Sequence, residues 1–142
     1  MKDRFNVIID TNVIVSSLLT QNPNSATAMT LDLFYNDLIT LYYSNEIYAE
    51  YNDVLHRDKF HFDKELISIL LAFIKQNGIL VNPPSIDKTL PDIKDKPFYE
   101  IVMDDSIRNS KLITGNLKHY PISPNIMSPA DFIKLYTSKI EV

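Results

Sequence analysis

The sequence predicts an α/β fold built around a central parallel β-sheet, and three observations point there. The short apolar run "NVIID", rich in Val and Ile, reads as a fully buried strand, and "ILV" and "KLIT" read as further short strands. Longer segments with helical spacing of apolar residues separate these runs, and strands alternating with helices imply a parallel sheet. The 142 residues favour one domain spanning 1–142, large enough to bury roughly two-thirds of its unfolded surface without staples.

Taken in order, residues 6–10 form the first strand, and Thr11 to Leu19 open a helix with polar residues. Ser25 to Tyr35 spaces Met29, Leu33 and Phe34 helically. "LITLYYS" is rich in β-formers and ends at Ser44, a suitable helix N-cap. Glu46 to His56 follows as a helix with Ile47, Tyr51, Val54 and Leu55 on one face. "HFDKELISILLAFIKQNG" is the clearest helix, with an expected apolar face of Leu66, Ile69, Leu70, Phe73 and Ile74, closed by Asn77-Gly78. After the "ILV" strand, Asn82 to Lys96 is Pro-rich and reads as a loop, and Pro97 starts the next helix, since Pro is tolerated in the first turn. Lys111 to Thr114 is a strand ending in "TGN", and Ile126-Met127 is another. Ser128 then caps a helix with Pro129 at its first position and Asp131 in a capping-box-like place.

Composition excludes several classes. With no Cys there is no disulfide framework, thiolate metal site or thiol nucleophile. No run approaches the ~20 apolar residues of a membrane span, and the first residues lack a signal-peptide layout, so a cytoplasmic location is expected. Two Gly leave no GxGxxG or Walker-type phosphate loop. The net charge of −4 argues against binding nucleic acid through bulk charge, yet permits a nuclease whose acids are neutralised by metal ions.

Asp10 is the residue that needs explaining, because it ends a strand that reads as buried. A buried charge is costly unless paired, hydrogen-bonded or bound to a metal. Strand ends in parallel sheets form ligand sites, and Asp10 and Asn116 both follow strands. Glu50 lies about 40° from Val54 on its helix, at the border of the apolar stripe, and is the acid of that helix best placed to point inward. Asp92 and Asp95 precede the helix of Phe98, Ile101 and Val102, with Asp95 nearer its start. Taken singly, Asp95 reads rather as a cap or helix-dipole partner and Glu50 rather as a solvated helix acid, and Asn116 reads also as a turn residue.

Together the blocks "VIIDTNVIVSSLL", "SNEIYAEYNDVLHRDKF", "DIKDKPFYEIV", "LITGNLKHYP" and "MSPADFI" resemble, in order, the PIN-domain family, and within it the toxin components of toxin–antitoxin pairs. The resemblance implies a three-layer α/β/α sandwich and a metal-dependent ribonuclease site. It assigns catalysis to Asp10, Glu50 and Asp95, and metal binding to these three with Asp92. Thr11 and Asn12 match polar residues beside the first acid, expected to orient it or a bound water. Asn116 stands where many members have Asp, which leaves one fewer negative charge for a second ion.

Such a set of oxygen ligands suits Mg²⁺ or Mn²⁺. The implied reaction is in-line cleavage of RNA phosphodiesters by metal-activated water, leaving 5′-phosphate and 3′-hydroxyl ends. His119, Lys118, Lys94 and Lys96 are candidates to touch substrate phosphate. "HRDKFHF" offers a basic lip with rings for stacking bases, although Phe60 and Phe62 read rather as core anchors. His56 and His61 lack a third ligand at zinc-site spacing. The implied partners are an RNA substrate, a protein antitoxin and a second copy in a homodimer, with no membrane. The alternative expectation is a PIN-like module that binds RNA or a partner with little or no cleavage; a nuclease of structured DNA or of rRNA processing is a third.

Overall fold

In the computed structural model, which describes residues 4–140, the run around Val7 forms strand β1 (Asn6–Ile9), and Val7, Ile8 and Ile9 are fully buried. A strand with three consecutive buried side chains has no solvent face and belongs in the middle of a covered sheet. After it come α1 (Thr11–Leu19), α2 (Ala26–Tyr35), β2 (Thr40–Tyr43), α3 (Asn45–Leu55), α4 (Lys64–Asn77) and β3 (Ile79–Leu80). Then follow α5 (Lys96–Val102), β4 (Ser110–Ile113), β5 (Ile126–Met127) and α6 (Pro129–Ile140). Short 3-10 turns lie at Asp58–Phe60, Ile93–Asp95 and Leu117–His119.

The sheet is parallel throughout, in the order β3-β2-β1-β4-β5. Asn6 stands opposite both Thr40 and Ser110, and Ile9 opposite Ile113. The chain steps from β1 through β2 to β3 on one side, whereas β4 and β5 lie on the other. In open parallel sheets this reversal opens a crevice beyond the carboxyl ends of the two strands concerned. Asp10 directly follows β1 and Thr114 directly follows β4, and the Asp10 amide donates to the Ile113 carbonyl at 2.9 Å. The topology therefore puts both residues on the rim of one crevice.

Helices cover the sheet on both faces, giving the expected α/β/α sandwich. Helix α2 packs on α1 and α6, while α5 packs on β1, β2, β4 and α3, and α3 in turn on α4. Phe5 meets Phe132 of α6 edge-on with centroids 5.5 Å apart, and Phe34 of α2 meets Phe73 of α4 at 5.2 Å. Side chains of Ser25, Ser44 and Asp63 accept amide hydrogens in the first turns of α2, α3 and α4, as does Ser128 in α6. Among the described residues no helix is long and apolar enough to cross a membrane.

Three local expectations change. In α4 the buried residues are Ile67, Leu70, Leu71 and Ile74, whereas Leu66 and Ile69 are 44% and 62% exposed. The stretch "LISILLAFI" is apolar at most positions, so two helical faces fit it, and contact with the core selects the one at 67, 70, 71 and 74. The loop before α5 contains the 3-10 turn, and α5 begins at Lys96, which puts Pro97 one residue in, where its missing amide hydrogen still costs nothing. The strand expected at Lys111 to Thr114 runs one residue earlier, leaving Thr114 beyond its end.

Gly78 closes α4 with φ −82°, so it does not serve a left-handed turn. A Cβ there would stand 2.7 Å from the Ile74 carbonyl oxygen and 3.0 Å from the Tyr43 ring. Glycine is required by the close approach of the last turn of α4, through the Ile74 carbonyl, and of the Tyr43 ring of β2. Gly78→Ala is expected to lower stability by about 1–3 kcal/mol, the usual range for overpacking, in urea unfolding. A change within experimental error would show that α4 shifts without cost.

Candidate active site

Each acid reaches the crevice for a local reason. Asp10 is the N-cap residue of α1, but its side chain makes no cap bond. Its Oδ2 instead accepts from the Thr114 hydroxyl at 2.8 Å and the Tyr120 hydroxyl at 3.1 Å. Glu50 is positioned by its neighbour: the fully buried Tyr51 donates its hydroxyl to the Ile9 carbonyl, clamping α3 against the end of β1. Half-buried Glu50 then accepts the Thr11 hydroxyl on Oε2. Asp95 ends the 3-10 turn before α5, caps nothing through its side chain, and lies 3.0 Å from Nδ1 of His119 through Oδ2.

The remaining residues named from the sequence fall around these three. Asp92 caps its own turn by accepting the Lys94 amide at 2.9 Å. One donor atom each of Asp92, Asp95 and His119 lies within 4.8 Å of the others. Asn12 accepts the Gly115 amide at 3.0 Å, fastening the start of α1 to the loop after β4. A Cβ at Gly115 would come within 3.1 Å of the same Asn12 oxygen, which explains the glycine. Asn116 is exposed and donates its amide to the Thr114 hydroxyl. Thus the Thr11 hydroxyl holds Glu50, Asn12 holds the opposite loop, and hydroxyls from Thr114 and Tyr120 hold Asp10.

Neither Thr114 nor Tyr120 was named from the sequence. Thr114 is fully buried at the end of β4, where a lone polar residue after "KLI" signals a group turned towards the strand ends. Tyr120 lies in the irregular "HYP", bonded to a residue 110 positions away, and no local pattern marks it. Its ring stacks on Tyr99 of α5 at 6.4 Å, so the helix that follows Asp95 also braces the hydroxyl that holds Asp10.

The basic candidates separate into two groups. Thr114, Gly115, Asn116, Leu117, Lys118, His119 and Ser128 line a cleft of about 400 Å³ beside the acids. The "HRDKFHF" segment borders another cleft of about 240 Å³, with His56, Arg57 and His61 among its lining residues. There Phe60 and Phe62 stack on each other and pack against the core.

Electrostatics bind the acids into one system. Burial is the main cause that raises the pKa of Asp10, Glu50 and Asp95. Asp10 further raises both Glu50 and Asp95, and Asp95 raises Glu50, whereas the donor atoms within 4.8 Å of one another belong to Asp92, Asp95 and His119 and not to Asp10 or Glu50. Tyr120 is pushed far above the phenol range, first by burial and then by Asp10 and Asp95, so it remains a proton donor. Among the described residues no Lys or Arg forms an ion pair with these acids. Asp10 and Glu50 accept from neutral hydroxyls and Asp95 lies against His119, and such crowded carboxylates form an oxygen-rich donor set that fits a divalent cation.

A carboxyl with a raised folded pKa destabilises the fold once it ionises. The penalty is absent below the unfolded value of about 4 and complete above the folded value, so stability falls as pH rises through that window. Asp10→Asn keeps an oxygen for Thr114 and Tyr120 but removes the charge. It is expected to raise the melting temperature of the metal-free protein near pH 7 by about 2–6 °C, with the gain vanishing towards pH 4. A loss of stability at both pH values would make Asp10 a structural anchor.

Among curated proteins none matches the chain. A family model described as the PIN domain matches residues 6–118, from β1 into the turn that carries His119. That span takes in most of the chain, including Asp10, Glu50, Asp92, Asp95 and Asn116, and the chain thus belongs to the PIN-domain family, whose members are generally nucleases.

Proposed function

We propose that the chain acts as a single PIN-like domain and is a Mg²⁺- or Mn²⁺-dependent endoribonuclease, the toxin of a cytoplasmic toxin–antitoxin pair. The reading is supported by three acids from separate segments, Asp10, Glu50 and Asp95, all raised by burial and the last two raised further by Asp10, beside the close group of Asp92, Asp95 and His119. Three acids that repel in the metal-free protein are a poor structural device and a good cation site.

In this reading Asp10, Glu50 and Asp95 hold the ion, with Asp92 assisting. When bound, a divalent cation neutralises the acids and the approaching phosphate and eases ionisation of a water. The chain's own residues fix the geometry. Thr114 and Tyr120 fix the Asp10 carboxylate through Oδ2, and Thr11 fixes that of Glu50 through Oε2. Asn12 and Asn116 shape the loop at the mouth, and Lys118 on the adjoining cleft meets a substrate phosphate, with Lys94 and Lys96 nearby in sequence to Asp95. The net charge of −4 favours recognition of RNA through this local surface rather than by overall attraction.

Single-stranded RNA incubated with Mg²⁺ or Mn²⁺ is expected to be cut to 5′-phosphate and 3′-hydroxyl ends. Asp10→Asn should lose more than about 100-fold in rate, beyond what outer-shell substitutions cost. Products with 2′,3′-cyclic phosphate would contradict the chemistry, and equal residual cutting by both proteins would favour an RNA- or partner-binding module. Preferential cutting of DNA would remove the RNA assignment.

Expression of the chain alone is expected to arrest growth, and the Asp10→Asn variant to be tolerated. Unchanged growth at matched expression levels would remove the toxin role while leaving the nuclease.

A further inference from the structure

We infer that His119 is a nitrogen ligand of the acidic centre and makes it select Mn²⁺, or a later first-row divalent ion, over Mg²⁺. The inference rests on the metal-centre reading proposed above and assigns the ion's identity to one side chain.

The spacing of the donors carries it. Two adjacent donors on one ion, each about 2.1–2.2 Å from it, stand about 3.0 Å apart. Asp95 Oδ2 and His119 Nδ1 are 3.0 Å apart. Donor atoms of Asp92, Asp95 and His119 all fall within 4.8 Å of one another, close to the about 4.4 Å between opposite ligands of a single ion. Small side-chain movements would therefore place all three on one cation.

The imidazole is also held in advance. The His119 amide donates to the Asn116 carbonyl at 3.0 Å, closing the 3-10 turn. The next residue, Tyr120, is fixed by its bond to Asp10 and its stacking on Tyr99. Yet the His119 side chain is 40% exposed and the Asp95 side chain 12%, so an ion can reach the pair from solvent.

Donor chemistry then decides between ions. Mg²⁺ takes oxygen ligands and retains its waters, whereas imidazole suits the later first-row ions, a series that Mn²⁺ opens as its weakest member. An all-carboxylate centre would serve either. Replacing one oxygen position by His119 tilts the choice. An ion pair of His119 with Asp95 alone, or contact of His119 with substrate phosphate, would give no such tilt.

The test uses the full chain loaded with Mn²⁺ alone. Pulsed electron paramagnetic resonance should detect nitrogen coupled to the bound Mn²⁺ in the wild type, and no such coupling in His119→Asp or His119→Ala. In calorimetric competition, the ratio of Mn²⁺ to Mg²⁺ affinity should fall about tenfold in His119→Asp, the lower range of ligand-sphere effects. Mn²⁺ bound without nitrogen coupling, and an unchanged ratio in the variant, would overturn the inference and leave the metal centre standing. Coupling that persists in both variants would place the nitrogen on His56 or His61, the other histidines of the chain, and would overturn it equally. If the wild type binds no Mn²⁺ at all, the metal-centre reading falls with it.

Discussion

The carboxylate of Asp10 is the constraint on which the rest of the site depends. It is 4% exposed, at the end of a strand whose preceding three residues have no contact with water. Leaving such a group without partners would cost several kcal/mol, roughly the desolvation penalty of a charged side chain. The fold meets that requirement by placing β1 beside β4, so that Thr114 arrives within hydrogen-bond distance, and by turning the chain back after Asn116 so that Tyr120 arrives too. Strand order, the loop after β4 and the stacking of Tyr120 on Tyr99 are all conditions for one buried oxygen.

The other acids are set by the same crevice but held differently. Glu50 depends on the clamp of Tyr51 against Ile9 and on the Thr11 hydroxyl, which belongs to the residue after Asp10. Asp95 depends on a short turn at the end of a long loop. That loop is anchored by buried Leu90 and by the Ile86 amide, which donates to Glu100 of α5 at 2.9 Å. Neutral hydroxyls, and not guanidinium or ammonium groups, make the hydrogen bonds that hold Asp10 and Glu50.

Much of this was legible before any coordinates. The unbroken "VII" of β1 requires a central strand, and the position of Asp10 after it follows directly from chain order. Glu50 could be placed by its angle to Val54, because α3 has a single clear apolar face of Ile47, Tyr51 and Leu55. The face of α4 was misread because its apolar residues nearly encircle the helix, and only contact with the core breaks the tie. Tyr120 and Thr114 stayed hidden because their role is a bond to a partner more than a hundred residues away, and local spacing carries no trace of it. His119 was visible as a polar residue near the site, but its 3.0 Å approach to Asp95 needs the relative placement of two irregular turns.

The central claim is that these acids are gathered for a cation, and diffraction from a crystal soaked in Mn²⁺, with anomalous data at the manganese edge, addresses it most directly. The account predicts an anomalous peak in the crevice bounded by Asp10, Glu50 and Asp95, on the side of Asp92 and His119. A fully occupied lattice with no peak there, or a peak confined to the cleft of His56 and His61, would contradict it.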